Sequence, residues 1–167
     1  VIQSGHQLPD EIRGGSVALQ HVSFTYPGGV NEPVLQDICL EVKPGETLAV
    51  LGATGVGKTT LINLIPRFYD ATEGEVFFNG VNVRDYDINY LRERIGIVPQ
   101  KNELFSGSIL DNLRWGNPQA TQEEAEWAAK IAQADGFIRS FPEGYQTVIS
   151  AGGESISQGQ RQLLAIA

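Results

Sequence analysis

Gly52-Ala53-Thr54-Gly55-Val56-Gly57-Lys58-Thr59 fits the pattern G-x-x-x-x-G-K-[ST] and follows the apolar run Thr47-Leu48-Ala49-Val50-Leu51. Glycines at 55 and 57 let the backbone curl so that its N–H groups face an anion. Lys58 can then reach the β- and γ-phosphates of a nucleotide, and the Thr59 hydroxyl can hold Mg2+. Leu61, Ile62, Leu64, Ile65 and Phe68 follow with helical spacing. Strand, loop and helix in this order form one unit, and the expectation is a site for a nucleoside triphosphate.

Working outward, residues 46–51 read as the buried strand feeding the loop. Val17, Leu19, Val22, Phe24 and Tyr26, closed by Pro27-Gly28-Gly29, and then residues 34–42, closed by Pro44-Gly45, read as two strands of a β-rich layer. Downstream, Val76-Phe77-Phe78 and Val81-Asn82-Val83 flank Asn79-Gly80, a hairpin signature. Asp87 can cap a short helix running to Arg94, and residues 95–98 read as a short strand stopped by Pro99. Thr121-x-x-Glu124 is a capping box for a helix to about Ala134. The first fifteen residues, rich in Gly, Pro and polar groups, resemble a linker entering a domain.

With 167 residues and 41% hydrophobic composition, the chain can bury one core of ordinary domain size. A formal charge of −8, with twelve scattered Lys and Arg, argues against a nucleic-acid partner and against direct adsorption to a membrane. No stretch approaches the apolar length of a membrane span, so this piece is expected to be soluble. The one cysteine, Cys39, sits in the strand pattern Leu35-Gln36-Asp37-Ile38-Cys39-Leu40 and is expected to pack inertly in the core. His6 and His21 read as linker or surface histidines. A chain that starts at Val1 and holds no Met reads as a piece of a longer polypeptide.

Near the far end, Ile156-Ser157-Gln158-Gly159-Gln160-Arg161-Gln162 precedes Leu163-Leu164-Ala165-Ile166-Ala167. Ser157-x-x-Gln160 is a capping box, which places Ser157 and Gly159 at a helix N-terminus where free N–H groups favour an anion. Capping alone also accounts for it. Together with the phosphate loop, however, ISQGQ resembles the LSGGQ signature of the ABC ATPases. The resemblance extends from about Ile12 to Ala167. It includes Val22-Ser23-Phe24-Thr25-Tyr26, like the family's adenine-stacking loop, and Ile97-Val98-Pro99-Gln100, like its Q-loop. By itself Tyr26 reads equally well as a core residue ending a strand, and Gln100 as a solvated turn.

The resemblance implies an α/β fold of the P-loop ABC ATPase type: an N-terminal antiparallel β layer, a parallel core sheet and a helical signature region over about 101–160. On this view residues 1–15 link to a transmembrane part and 16–167 form a partial nucleotide-binding domain. ATP and Mg2+ are the implied ligands. The implied ATP-binding residues are Tyr26, Gly52, Thr54, Gly55, Val56, Gly57, Lys58, Thr59 and Thr60. Lys58 and Gln100 take the catalytic roles, and Thr59 and Gln100 the contacts to the metal. Ser157, Gln158, Gly159 and Gln160 would close over a triphosphate held by a second nucleotide-binding domain, identical or homologous. Residues 105–113 resemble the stretch that faces the membrane part in multidrug-type exporters, which implies transmembrane domains as partners and a place on the cytoplasmic face of the cell membrane.

The sequence also departs from the family. Gln158 stands where the signature has Gly, Ile156 where it has Leu, and Ala151 where a Glu often lies. The Asp-bearing Walker B strand, the general-base Glu and the switch His are expected beyond Ala167, so this piece should bind ATP and scarcely hydrolyse it. A soluble ABC ATPase of DNA repair or translation would share these motifs, as would a regulatory module that binds nucleotide without turnover.

Overall fold

The computed structural model describes residues 15–28, 32–150 and 155–167. The expected linker lies almost wholly outside the described residues, as does Ala151. The chain divides into two compact units, residues 1–96 and 97–167.

The first unit is built on a four-stranded antiparallel sheet of order β2-β1-β3-β4, comprising β1 (Val17–Phe24), β2 (Leu35–Val42), β3 (Glu73–Phe78) and β4 (Val81–Asn82). Between β3 and β4, Asn79 and Gly80 both take positive φ (50° and 76°), as the two-residue hairpin requires. Helix α1 (Lys58–Leu64) follows the phosphate loop, and α2 (Ile88–Arg92) starts where the Asp87 carboxylate accepts the N–H groups of Asn89 and Tyr90. Leu19, Val22 and Phe24 from β1, Leu61 and Leu64 from α1, and Tyr86 and Leu91 meet in one core. The guanidinium of Arg92 donates to the Pro66 and Arg67 carbonyls, which ties α2 to the end of α1.

Two strands expected from the sequence do not form here. Residues 46–51 and 95–98 form no strand, and neither joins a ladder with any described residue. A strand is defined by the neighbour that takes its N–H and C=O groups. Without one, Leu51 is 90% exposed and Leu48 52%. The α/β class stands, while the sheet seen among the described residues is antiparallel.

Cys39, expected to pack in the core, lies exposed instead. The pairs Leu19↔Leu40, Val22↔Ile38 and Phe24↔Leu35 set three β1 residues against two of β2 and then two against three. Each strand therefore carries one bulge, with His21 at φ 50° and Asp37 at φ 48°. Strict alternation from buried Leu35 would turn Cys39 inward. The bulge at Asp37 shifts the alternation by one residue, so Ile38 and Leu40 pack against the core and Cys39 points out.

The second unit holds a two-stranded pair, β5 (Gly107–Ser108) and β6 (Val148–Ile149), with helices α3 (Ile109–Leu113), α4 (Gln122–Ile131), α5 (Asp135–Ser140) and α6 (Gln158–Ile166). Its core gathers Ile109, Leu110, Ala125, Ala129, Ile138, Tyr145, Ile149, Ile156 and Leu164. The capping boxes expected at Thr121 and Ser157 are both formed; α4 ends at Ile131, about a turn earlier than read from the sequence. No helix among the described residues is long and apolar enough to cross a membrane.

Candidate functional site

The phosphate loop runs into α1 through Gly57, which has φ 90° and caps the helix without a side chain; Gly55 has φ 88°. These left-handed values explain two of the glycines. Gly57 is further constrained by its surroundings. A Cβ built there would lie 2.9 Å from Leu35 Cδ2 and 3.0 Å from the Val34 carbonyl oxygen, so the entry to β2 backs directly onto the loop. The Lys58 ammonium folds over the loop and donates to the carbonyls of Gly52 (2.7 Å) and Ala53 (2.5 Å). Those two bonds hold the cation against the loop's own carbonyls, from which an incoming phosphate would draw its charge.

Thr54, Val56 and Thr59 are exposed on the loop, whereas Thr60 is buried. The Thr59 hydroxyl, an oxygen donor at the start of α1, suits Mg2+, which takes oxygen ligands and keeps water in its remaining positions. Tyr26 is brought to the same place. Its hydroxyl lies 3.0 Å from Thr60 Oγ1, and its half-buried ring meets Phe24 and Tyr69 edge to face, with centroids 4.8 and 5.2 Å apart. Tyr69 was not singled out in the sequence; its only signal was the Phe68-Tyr69 pair just after α1.

Gln100, Ser157, Gln158, Gly159 and Gln160 belong to the second unit. Gln100 is exposed and lines an open recess with Lys101, Asn102, Glu103, Gln158 and Arg161. At the mouth of α6 the Ser157 hydroxyl accepts the Gln160 N–H at 3.2 Å, and the Gln160 side chain accepts the Ser157 N–H at 3.0 Å. Ile156, buried in the core, and the guanidinium of Arg161, which donates to the Ile156 carbonyl, fix this helix start from behind. Replacing the usual Leu by Ile leaves that anchor apolar. Gln158 and Gly159 face solvent on the first turn. Residues 105–113 include a further capping box, Ser108 with Asp111, at the head of α3, and Phe105 stacks on Trp115 at 4.1 Å with both rings half-exposed or more.

Residues 35–167, which contain both the phosphate loop and the signature helix, match the family described as ABC transporter. The chain belongs to the ABC transporter family. It is 46% identical over 159 residues to a protein of Staphylococcus aureus (strain NCTC 8325 / PS 47) named as a multidrug export ATP-binding/permease protein, covering 95% of this chain and 27% of that one. A protein of the same name from the bovine strain RF122 / ET3-1 is 45% identical over the same span. Among solved structures, a bacterial Atm1-family ABC exporter with ATP bound superposes with a TM-score of 0.87 at 32% identity, over 98% of this chain and 29% of that chain. The ABC chain described here thus spans about a quarter of the length of the curated relatives it matches.

Proposed function

We propose that the chain is the ATP-binding domain of an ABC exporter, whose full-length form uses ATP-driven pairing and hydrolysis to move substrate across a membrane. The observation that carries the reading is the phosphate loop. Two glycines in left-handed conformations and a lysine folded over the loop carbonyls make a ready cradle for a triphosphate. Support comes from the names of the relatives, which combine ATP binding with export and a permease part.

In this reading residues 16–167 are part of the nucleotide-binding domain, with its helical region over about 101–160, and residues 1–15 lead from the transmembrane part. Lys58 and the loop N–H groups hold the phosphates, Tyr26 stacks on adenine, and Thr59 supplies a hydroxyl to Mg2+. Gln100 reports the state of the metal and the attacking water. Ser157 and Gly159 close over the triphosphate of a second such domain, so the γ-phosphate bridges the pair and its loss releases them. The transmembrane domains of the same transporter are the mechanical partners, which puts the domain on the cytoplasmic face of the membrane.

Calorimetric titration of Mg-ATP into the chain tests the cradle and the stacking together. Lys58→Ala removes charge-assisted bonds worth about 1.5–3 kcal/mol, so affinity should fall roughly ten- to a hundredfold. Tyr26→Ala removes stacking worth roughly 1–3 kcal/mol, so a drop of about tenfold is expected. Equal affinity for wild type and both variants, or no saturable heat at all, would overturn the proposal.

A further inference from the structure

His21, Asp37 and Cys39 form a compact set of metal donors on the outer face of the first unit, on the side of the sheet away from its core. One ligand atom from each lies within 4.8 Å of the others, and all three residues are exposed. His21 Nδ1 is 2.7 Å from Asp37 Oδ1, and the His21 backbone N–H donates to Cys39 Sγ at 3.3 Å. The grouping is a product of the sheet's register. One bulge in β1 turns His21 outward, the other in β2 turns both Asp37 and Cys39 outward, and the two bulges sit side by side. Three chemically different donors are therefore held by paired strands rather than scattered along a flexible loop.

We propose that His21, Asp37 and Cys39 bind one zinc ion, with solvent completing the coordination. An imidazole nitrogen, a carboxylate oxygen and a thiolate sulfur are the donors Zn2+ prefers, at bond lengths of about 2.0–2.3 Å. A tetrahedral ion at those lengths separates its ligand atoms by about 3.3–3.7 Å. The Nδ1 to Oδ1 contact of 2.7 Å has to open slightly, and the widest separation, no more than 4.8 Å, has to close by about 1 Å. Side chains as open as His21 (79% exposed) and Asp37 (70%) can make both moves by rotation alone. The sulfur donor selects against Mg2+ and Ca2+, which take oxygen, so this site is distinct from the metal that accompanies ATP. Bound zinc would cross-link β1 to β2, which lies at one end of the described sheet.

Nucleotide-free chain, titrated with Zn2+ alone against a chromophoric chelator, should bind one equivalent. The variants His21→Asn, Asp37→Asn and Cys39→Ser should each weaken that binding at least about tenfold. Titration with Co2+ should give a thiolate-to-metal charge-transfer band that Cys39→Ser abolishes. Because Cys39 is the one cysteine in the chain, a third reading needs no variant. Zn2+ should slow the reaction of Cys39 with a disulfide reagent, and a chelator should restore the rate. Unaltered stoichiometry and affinity in all three variants, or a Cys39 reaction rate indifferent to Zn2+, would overturn the proposal.

Discussion

The two units keep their shape by different means. In the second, three helices open on reciprocal caps, Ser108 with Asp111, Thr121 with Glu124 and Ser157 with Gln160, each closed within four residues. In the first, α1 has no side-chain cap, the segment before the phosphate loop has no ladder partner among the described residues, and order depends on β1 pairing with β2 on one side and β3 on the other. A local cap fails or holds by itself. A ladder carries any distortion along its whole register, so the first unit should be far more sensitive to a single misplaced atom.

Gly74 is where that contrast can be broken most sharply. Opposite the β1 bulge, its φ is 73°, and a Cβ there would lie 2.2 Å from the His21 carbonyl oxygen and 2.4 Å from that of Gln20. Backbone cannot yield as a side-chain tip can, so β1 or β3 has to move. Gly74→Ala should lose about 3 kcal/mol or more, a large share of a typical domain's 5–15 kcal/mol. Gly80→Ala is the matched control, with a similar φ of 76° and nothing within 4 Å of the added carbon. It should lose only about 1–2 kcal/mol, from left-handed backbone strain. Urea denaturation followed by circular dichroism measures both, and equal losses would show that crowding against the bulge is unimportant.

The same contrast explains what the sequence disclosed. Capping boxes were legible at Thr121 and Ser157 because the two partners are three residues apart, and the box at Ser108 carried the same S-x-x-D signal unread. The phosphate loop was legible because its glycines and lysine act through their own backbone. By contrast, residues 46–51 have the composition of a buried strand, and nothing in that composition states which neighbour completes it. Cys39 was misplaced for a related reason. A bulge at Asp37 leaves no mark in an alternating pattern, yet it reverses every residue after it. The two-residue strands β5 and β6 are too short for any periodicity to appear.

Ser157→Ala sharpens the comparison from the other side. Removing one cap should destabilise α6 by about 1 kcal/mol, and Thr121→Ala should do the same to α4. Hydrogen exchange at the Gln160 and Glu124 amides reads each loss separately, since those N–H groups lose their acceptors. Mg-ATP affinity of the phosphate loop, measured on chain dilute enough to stay unpaired, should be unchanged in Ser157→Ala, because Ser157 is proposed to serve the nucleotide of a partner domain. A weakened affinity would place Ser157 in the cis site instead.

The smallest effect is expected at the Asp135 carboxylate, which ties α5 to its neighbours. It accepts the Tyr145 hydroxyl at 2.6 Å and Arg139 Nε at 2.8 Å, and Arg139 also donates to Glu126 at 2.7 Å. The Tyr145 hydrogen bond foremost, and then Arg139, hold the Asp135 carboxyl below the usual carboxylate range. Burial, and then the hydrogen bond to Asp135, push the Tyr145 phenol up. A lowered folded pKa means stabilisation that is present above the unfolded value, about 3.9, and is lost as pH falls through the folded value. Tyr145→Phe removes the foremost cause of the lowering, so the stability gap between wild type and variant should be widest from about pH 5 to 8 and should narrow below about pH 4. Urea midpoints for the two proteins at pH 7, 5 and 3 give the answer. A gap that stays constant down to pH 3 would mean that the hydroxyl bonds the neutral carboxyl as well as the carboxylate, and that this contact acts without help from the charge on Asp135.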